Sequence, residues 1–177
     1  MNERKICGRR ALLELEKEQI VNCGVGIPDT IGRIASEEGY YNKIYISIET
    51  GVFGGVPVYG QLFGAAINPI FLYSMANIFG LYDGGIIDVA VVGIAEVDKY
   101  GNVNVSKIGT RTTGPGGFIN ITQNCRKAIF MGTFISSSLE IEVVDGKLKI
   151  LKEGKYKKFL NNVNQITFTS KYSKDKN

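Results

Sequence analysis

The stretch from Tyr45 to Tyr59 reads YISIETGVFGGVPVY. Its two parts have different residue patterns, so one element of secondary structure cannot include both. Its first residues form a β-branched and aromatic run, which predicts a strand. The residues after Glu49 are rich in glycine and proline, which predicts a loop without regular structure. Ligands of open α/β sheets bind beyond the carboxyl ends of the strands. Glu49, at the end of such a strand, is therefore the first candidate for a functional residue.

Two interpretations of Glu49 stay open on these residues alone. A charged side chain at a strand end is usually just a solvated charge. Alternatively, Glu49 is a nucleophile or general base beside a loop whose backbone amides bind an anion. The glycines that would support this loop are Gly51, Gly54 and Gly55. At the usual pKa of about 4.3 a glutamate is ionised at neutral pH, so it needs no base to activate it.

A second glycine-rich loop is expected one helix before the Glu49 strand. Ile20–Cys23 predicts a short strand, and the loop that follows it contains Gly24, Val25 and Gly26. A helix is predicted from Asp29 or Thr30 to about Glu38. This order directs free backbone amides toward an anion near a helix N-terminus, although a tight turn that needs glycine explains the same residues.

The third loop contains Gly116 and Gly117, directly before a short helix predicted over Phe118–Asn124. It is either a surface loop or a second patch of backbone amides. Because β-α-β crossovers are right-handed, we expect this loop, the Gly24–Gly26 loop and Glu49 to face one cleft at the same edge of a parallel sheet.

The remaining elements follow from apolar periodicity. The predictions are a helix over Glu3–Lys17, a buried or interfacial helix from Pro69 through Ala76, a loop over Asn77–Gly85, a central strand over Ile86–Ala95, a strand over Lys127–Phe134, and a last strand over Ile166–Phe168. Asp145-Gly146 lies between two alternating runs, Leu139–Val144 and Lys147–Leu151, and this pattern predicts an exposed β-hairpin.

Composition narrows the protein class. The 177 residues are 44% hydrophobic and 21% charged, which predicts one domain with a sizeable core. No apolar run reaches the length of a membrane span and the N-terminus lacks a signal-peptide core, so we expect a cytoplasmic protein.

Three separated cysteines and no histidine favour neither disulfides nor a metal site, and predict cysteines that act as small buried hydrophobic residues. A net charge of +4, spread along the chain, does not indicate nucleic-acid binding.

Several motifs occur in a fixed order along almost the whole chain. They are IETGVFGGVPVYGQLFGAAINP from Ile48, YDGG at Tyr82–Gly85, GNVNVS at Gly101–Ser106, GPGGFINITQN at Gly114–Asn124, and QITF at Gln165–Phe168. Together they resemble the glutamate-bearing, C-terminal (beta-like) half of the class I CoA-transferases, in particular the propionate/acetate CoA-transferase type. The resemblance implies an α/β fold, an open and mostly parallel sheet with flanking helices of the NagB/RpiA/CoA-transferase-like type, with an added β-hairpin.

The resemblance also implies site residues and substrates. In the family a glutamate attacks an acyl-CoA thioester and then carries CoA as a glutamyl thioester, and here that residue would be Glu49. It implies that Val25, between Gly24 and Gly26, supplies one backbone amide to the thioester oxygen, and that the Gly116-Gly117 pair supplies another, placed at Gly117. CoA is then a substrate, and no metal or other cofactor is expected.

Partners are implied in the same way. The family uses two related halves, so we expect an alpha-like CoA-transferase subunit or a homo-oligomer that covers the apolar segment from Ile70 to Phe79, with no nucleic-acid or membrane partner. The chain stops shortly after QITF, where the family continues. A non-catalytic binding or assembly domain derived from such a half is the main alternative, and a sugar-phosphate isomerase of similar architecture is a third.

Overall fold

The computed structural model describes residues 3–174, which form two compact units. The first unit contains the residues up to Gly93 together with Pro115–Met131. The second contains Ile94–Gly114 together with the residues from Gly132 onward. The expectation of one domain over residues 1–177 stays a prediction.

Within residues 3–174 the elements have the following bounds. The helices are α1 Glu3–Leu12, α2 Thr30–Glu37, α3 Met75–Asp83, α4 Phe118–Asn124 and α5 Ser170–Lys174, with a 3₁₀ turn at Gly60–Leu62. The strands are β1 Ile20–Cys23, β2 Tyr45–Ser47, β3 Val52–Phe53, β4 Val56–Pro57, β5 Ala66–Ile67, β6 Phe71–Leu72, β7 Val89–Gly93, β8 Glu96–Asp98, β9 Asn102–Asn104, β10 Lys107–Ile108, β11 Arg111–Thr112, β12 Lys127–Met131, β13 Ile135–Ser136, β14 Glu140–Val144, β15 Lys147–Lys152, β16 Tyr156–Lys157, β17 Phe159–Leu160 and β18 Phe168–Thr169.

The first unit is built on a six-stranded sheet in the order β12-β7-β1-β2-β3-β6. Its pairs β12-β7, β7-β1 and β1-β2 are parallel, and β2-β3 and β3-β6 are antiparallel. Val89 and Val91 of β7 pack in a core cluster with residues of α1 and α2. Ala90 and Val92 pack in a second cluster with residues of α3 and α4. Because successive strand residues face opposite ways, the two helix pairs cover opposite faces of the sheet. The predicted α/β fold is confirmed.

Local patterns predicted several of these elements correctly. The strand Ile20–Cys23 and the helix Phe118–Asn124 have the predicted bounds. The helix α2 begins after Asp29, but the Asp29 side chain makes no capping hydrogen bond. The hairpin of β14 and β15 turns at Asp145 and Gly146 and is exposed along its whole length, as expected. The first helix is shorter than predicted and ends at Leu12.

Two predictions for residues 50–85 are wrong. The segment after Glu49 contains short two-residue strands, so it is not devoid of regular structure. The predicted helix from Pro69 does not form, because the Ile70 N–H pairs with Phe53 O (2.9 Å) as part of the β3-β6 ladder. The helix begins only after Ser74, whose Oγ accepts the Asn77 N–H (3.2 Å), and it continues through the predicted loop to Asp83.

The apolar segment around β6 lies at the surface of the first unit. Phe71 is 53% exposed and Leu72 is 73% exposed. The ring of Phe71 contacts Phe53 and Tyr73, and Phe53 in turn stacks on Tyr45, which gives a row of four aromatic rings. This segment is therefore not part of the core of its own unit.

The second unit contains a four-stranded sheet in the order β17-β8-β9-β18. Two buried carboxylates hold segments of this unit together. Glu96 accepts hydrogen bonds from the Asn104 Nδ2 group (2.7 Å) and from the Asn164 N–H (2.9 Å). Asp98 accepts the N–H groups of Tyr100 (2.9 Å) and Asn102 (3.1 Å), which closes the turn between β8 and β9.

Among the described residues, no helix combines the length and the apolar character that crossing a bilayer requires.

The backbone of Gly51 generates a stability prediction. Gly51 has φ +109°, and a Cβ built on it would lie 1.9 Å from Tyr73 O. Gly39 also has a positive φ (+67°), but nothing lies within 4 Å of its hypothetical Cβ. We expect Gly39→Ala to lower the free energy of unfolding by about 1 kcal/mol, and Gly51→Ala to lower it by about 3 kcal/mol or more. Urea unfolding of both variants tests this, and equal losses would contradict the steric argument.

Candidate functional site

Glu49 lies at the tip of a tight turn between the parallel strand β2 and the antiparallel strand β3. The Gly51 N–H donates to Ile48 O (3.0 Å) and the Ile48 N–H donates to Val52 O (2.9 Å), which closes a three-residue hairpin loop. The positive φ of Gly51 is what such a loop requires at its third residue. The strand thus presents Glu49 at its carboxyl end, as the sequence predicted.

The glycines after Glu49 let backbone segments approach one another. A Cβ on Gly54 would lie 2.6 Å from the Ile70 side chain, and one on Gly55 would lie 2.5 Å from Ile67 O. The Gly54 N–H donates to Ile46 O (2.7 Å). Since the amides of Gly51 and Gly54 are already hydrogen-bonded, these two glycines support the turn and do not offer amides to an anion there.

A buried polar cluster lies beside Glu49 in the first unit. It consists of Asn22 on β1, Ser47 on β2 and Tyr82 on α3, each with no exposed surface. The hydroxyls of Ser47 and Tyr82 are 2.6 Å apart, and the Asn22 Nδ2 group donates to Ser47 O and to Tyr82 Oη, both at 3.3 Å. Sequence reasoning missed these three residues. The signal was present in the single polar residues of the apolar runs IVNC and YISI.

Two buried oxygens of this region have no hydrogen-bond partner within residues 3–174. They are Oε2 of Glu49 and Oδ1 of Asn22. A buried acceptor without a donor costs free energy, and native structures seldom keep one without a reason. Asn22 is on β1 and Glu49 follows the paired strand β2, so both unpartnered acceptors belong to the same part of the sheet.

Burial also changes the protonation of this region. It raises the pKa of Glu49, against smaller opposing effects of the residue's own backbone amide and the Asn22 side chain. The expectation of an unperturbed carboxyl group is therefore wrong, because it ignored desolvation. Burial, with a further contribution from the charge of Glu49, raises the pKa of Cys23 to about 12. That thiol stays protonated at neutral pH, so Cys23 is not a competing nucleophile.

The Gly24–Gly26 loop leaves the same edge of the sheet as the Glu49 turn. It follows β1, which is paired in parallel with β2, and the Gly24 N–H donates to Val91 O of β7 (2.8 Å). Position 26 favours glycine because its φ is +98°, and not for lack of space, since nothing lies within 4 Å of the Cβ that another residue would carry. Val25 is 65% exposed, and its N–H donates to no acceptor in the described part of the chain. Its amide is free for a ligand.

Gly116 and Gly117 lie before α4, which leads back to the amino end of β12. Since β12 is parallel to β7, the start of α4 lies toward the carboxyl edge of the sheet, the edge that carries Glu49. Gly116 has φ +52°. A Cβ on Gly117 would lie 2.6 Å from Cζ of Phe79, so α3 packs directly on this loop.

Side chains that could bind a metal ion together are not grouped in the described part of the chain. Residues 3–174 contain no group of three or more His, Cys, Asp or Glu side chains placed to hold a metal ion. The three cysteines are free thiols; Cys23 is buried, while Cys7 and Cys125 are half-buried.

Comparison with known proteins gives close relatives, although no family model matches the chain. The chain is 49% identical to the caffeate CoA-transferase of Acetobacterium woodii, over 98% of this chain and 34% of that protein. It is 44% identical to the acetate CoA-transferase YdiF of Escherichia coli K12, over 97% and 32%. It is 30% identical to the acetate CoA-transferase subunit beta of Escherichia coli K12, over 86% and 70%. The chain thus spans about a third of the first two relatives.

Solved structures are similar to the chain as well. The YdiF apoenzyme of Escherichia coli O157:H7 superposes with a TM-score of 0.86 at 42% identity, over 98% of this chain and 33% of that one. A thioester complex of the same enzyme with CoA superposes with a TM-score of 0.87 at 41% identity, over 99% and 33%.

The raised pKa of Glu49 generates a stability prediction. In the unfolded chain a glutamate ionises near pH 4.3, and in the folded protein Glu49 ionises at higher pH. As pH rises from the first value through the second, the folded state therefore loses stability relative to the unfolded state. Glu49→Gln removes this loss, so we expect the variant to exceed the wild type in unfolding free energy at pH 7 by more than at pH 4.

The matched control is Glu142→Gln on the exposed strand β14, which should leave unfolding free energies almost unchanged. Chemical denaturation at the two pH values measures both variants. A difference for Glu49→Gln that is the same at pH 4 and pH 7 would show that the carboxyl group is not destabilised by burial.

Proposed function

The chain belongs to the CoA-transferase family, and we propose that it is the glutamate-bearing half of an enzyme that moves CoA between a short-chain acyl-CoA and a carboxylic acid of the acetate or propionate type. The observation that carries this proposal is Glu49 itself. Its carboxyl group is held at the carboxyl end of a parallel strand, with one buried oxygen that has no hydrogen-bond donor among the described residues.

Burial suits Glu49 to act as a nucleophile. A fully hydrated carboxylate is a weak nucleophile because it must shed water before it attacks. Glu49 has already lost part of its hydration, as its raised pKa indicates. The tight turn fixes the carboxylate against the sheet edge, which supplies the positioning that an attack on a thioester carbon needs.

The proposed reaction takes place in steps that balance. The Glu49 carboxylate attacks the thioester carbon of acyl-CoA and expels CoA thiolate, which leaves an acyl-glutamyl anhydride. The thiolate then attacks the glutamyl carbonyl carbon, releases the first carboxylate and forms a glutamyl-CoA thioester. The acceptor carboxylate reverses both steps and leaves with CoA, and the Glu49 carboxylate is restored.

Each attack creates an oxyanion that needs hydrogen-bond donors. We assign one donor to the N–H of Val25, which is free among the described residues and follows the strand next to β2. We assign a second to Gly117, before α4. Gly24, Gly26 and Gly116 would shape these two loops, and Gly51, Gly54 and Gly55 would support the turn of Glu49.

The comparisons support a multi-part enzyme. One relative is named a beta subunit, and the chain spans only about a third of two others. We propose that an alpha-like half or a second copy of this chain completes the cleft, that CoA enters as a substrate, and that the enzyme works in the cytoplasm. The exposed aromatic row around Phe71 is the surface we assign to this contact.

Acyl exchange between acetate and propionyl-CoA tests the proposal, with this chain alone and with a CoA-transferase alpha-like half. Glu49→Ala should abolish transfer while the fold persists. Glu49→Asp draws the carboxylate back by about 1 Å and should lower the rate on the order of a hundredfold. Incubation with acyl-CoA should place the CoA adduct on the peptide that contains Glu49.

Two results would reject this chemistry: full transfer by Glu49→Ala, or an adduct on Cys125 instead of Glu49. A folded assembly that binds CoA but exchanges no acyl group in any combination would favour the alternative, a binding or assembly domain without catalysis.

The contact surface is tested by Phe71→Asp. Burial of exposed aromatic rings contributes about 25 cal/mol per Å² of apolar surface, so a charge at the centre of the row should dissociate the assembly. Light scattering should show a lower mass for Phe71→Asp and an unchanged mass for the control Phe134→Asp, an exposed phenylalanine of the second unit. An assembly that survives Phe71→Asp would exclude this surface.

A further inference from the structure

Helix α3 and the residue Tyr73 before it contact several parts of the proposed active site in the first unit. Immediately before it, the Tyr73 N–H donates to Gly51 O (2.8 Å), at the turn that carries Glu49. In its middle, Phe79 packs on Gly117. Near its end, Tyr82 contacts the strands that lead to Glu49 and to the Gly24–Gly26 loop. The segment from Tyr73 to Tyr82 therefore contacts the turn that carries Glu49, the two strands that precede this turn and the Gly24–Gly26 loop, and the loop of Gly117.

The Tyr82 hydroxyl is the polar part of this contact. It lies 2.6 Å from the Ser47 hydroxyl and accepts the Asn22 Nδ2 group at 3.3 Å, in a place with no exposed surface. The ring itself is packed edge-on against Phe79. A phenylalanine would keep this packing, so the hydroxyl has a separate role.

A contribution to stability alone does not explain the buried hydroxyl of Tyr82. Burying three neutral polar side chains costs desolvation, and apolar residues of equal volume usually serve a core as well or better. What such a cluster does provide is a fixed orientation. With its Nδ2 group directed to Ser47 O and Tyr82 Oη, the amide of Asn22 has its Oδ1 atom directed away from them, and this atom is the buried oxygen that lacks a partner.

We propose that Tyr82 is a positioning residue, which fixes Asn22 and Ser47 and thereby holds Glu49 in its attacking orientation. The inference rests on the proposed function, and it adds a residue that does not touch the substrate. Ser47 lies on the strand two residues before Glu49, and Asn22 is its register partner on the neighbouring strand, so their orientation determines how the end of β2 and the Glu49 turn are placed. Without the hydroxyl, Asn22 keeps its bond to Ser47 O but loses its second acceptor, and the Ser47 hydroxyl loses the Tyr82 partner.

The test follows the titration of Glu49 in the isolated chain, so it does not depend on CoA transfer. The protein is labelled with [¹³C]glutamate, and the Glu49 signal is identified by its loss in Glu49→Gln. The Asn22 side chain opposes the rise that burial causes in the pKa of Glu49, so its displacement in Tyr82→Phe should raise the titration midpoint further. The pKa values of the nearby Cys23 and Tyr82 are both raised to about 12, so these groups stay protonated throughout.

Tyr40→Phe is the control, since the hydroxyl of this half-buried tyrosine donates to Leu15 O (3.4 Å), away from the polar cluster, and its loss should leave the midpoint in place. If Tyr82→Phe does not fold, Ser47→Ala replaces it and should shift the midpoint in the same direction. A folded Tyr82→Phe protein with an unchanged Glu49 midpoint overturns the proposal.

A second measurement separates this proposal from the proposed function. In the assembled enzyme Tyr82→Phe should lower kcat about tenfold with KM changed less than twofold, because the substrate still binds but meets a misplaced nucleophile. An inactive wild-type assembly would reject CoA transfer and leave the titration result standing. A wild-type kcat in Tyr82→Phe, with Glu49→Ala inactive, would reject the positioning role alone.

Discussion

The contact between the backbones of Gly51 and Tyr73 is the constraint on which the candidate site depends. Tyr73 O occupies the space that any side chain at position 51 would need, and the Tyr73 N–H bonds Gly51 O in return. This contact joins the turn of Glu49 to the segment that starts α3. Because the turn and the start of α3 are joined at this point, the Tyr82 hydroxyl of α3 lies against Ser47, on the strand that leads to Glu49.

The site combines two unfavourable features within one well-packed unit. A carboxyl group is partly removed from water, and two buried oxygens lack donors. The apolar clusters on both faces of the sheet supply the stability that offsets these costs. Such a division, with strain confined to the functional edge and regular packing elsewhere, is typical of binding and catalytic sites.

Sequence patterns were informative where the structure is locally determined. The strand Ile20–Cys23 is followed by Gly24 and the helix Phe118–Asn124 is preceded by Gly117, and both have a clear apolar pattern, so their limits could be predicted. The segment from Pro69 to Asp83 could not, because its first apolar residues suggested a buried or interfacial helix through Ala76, followed by a loop from Asn77. In fact Phe71 pairs with β3 in an exposed edge strand, and the Ser74 cap starts the helix later.

The candidate site, like the fold, could be predicted from the sequence only in part. Glu49 stands out because a charge interrupts an apolar run, whereas Asn22, Ser47 and Tyr82 come from three separate elements and meet only through the folded sheet. The raised pKa of Glu49 depends on burial, which no short motif reports.

The order of the strands has a consequence for synthesis of the chain. β7 pairs with β1 on one side and with β12 on the other, yet residues 94–126 separate β7 from β12 along the sequence. While a ribosome produces this stretch, β7 can already pair with β1, but its other edge presents unpaired amides and carbonyls of an apolar strand. The β7 edge of a second nascent chain is an equally good partner. The longer residues 94–126 take to be synthesised, the longer this edge of β7 stays unpaired.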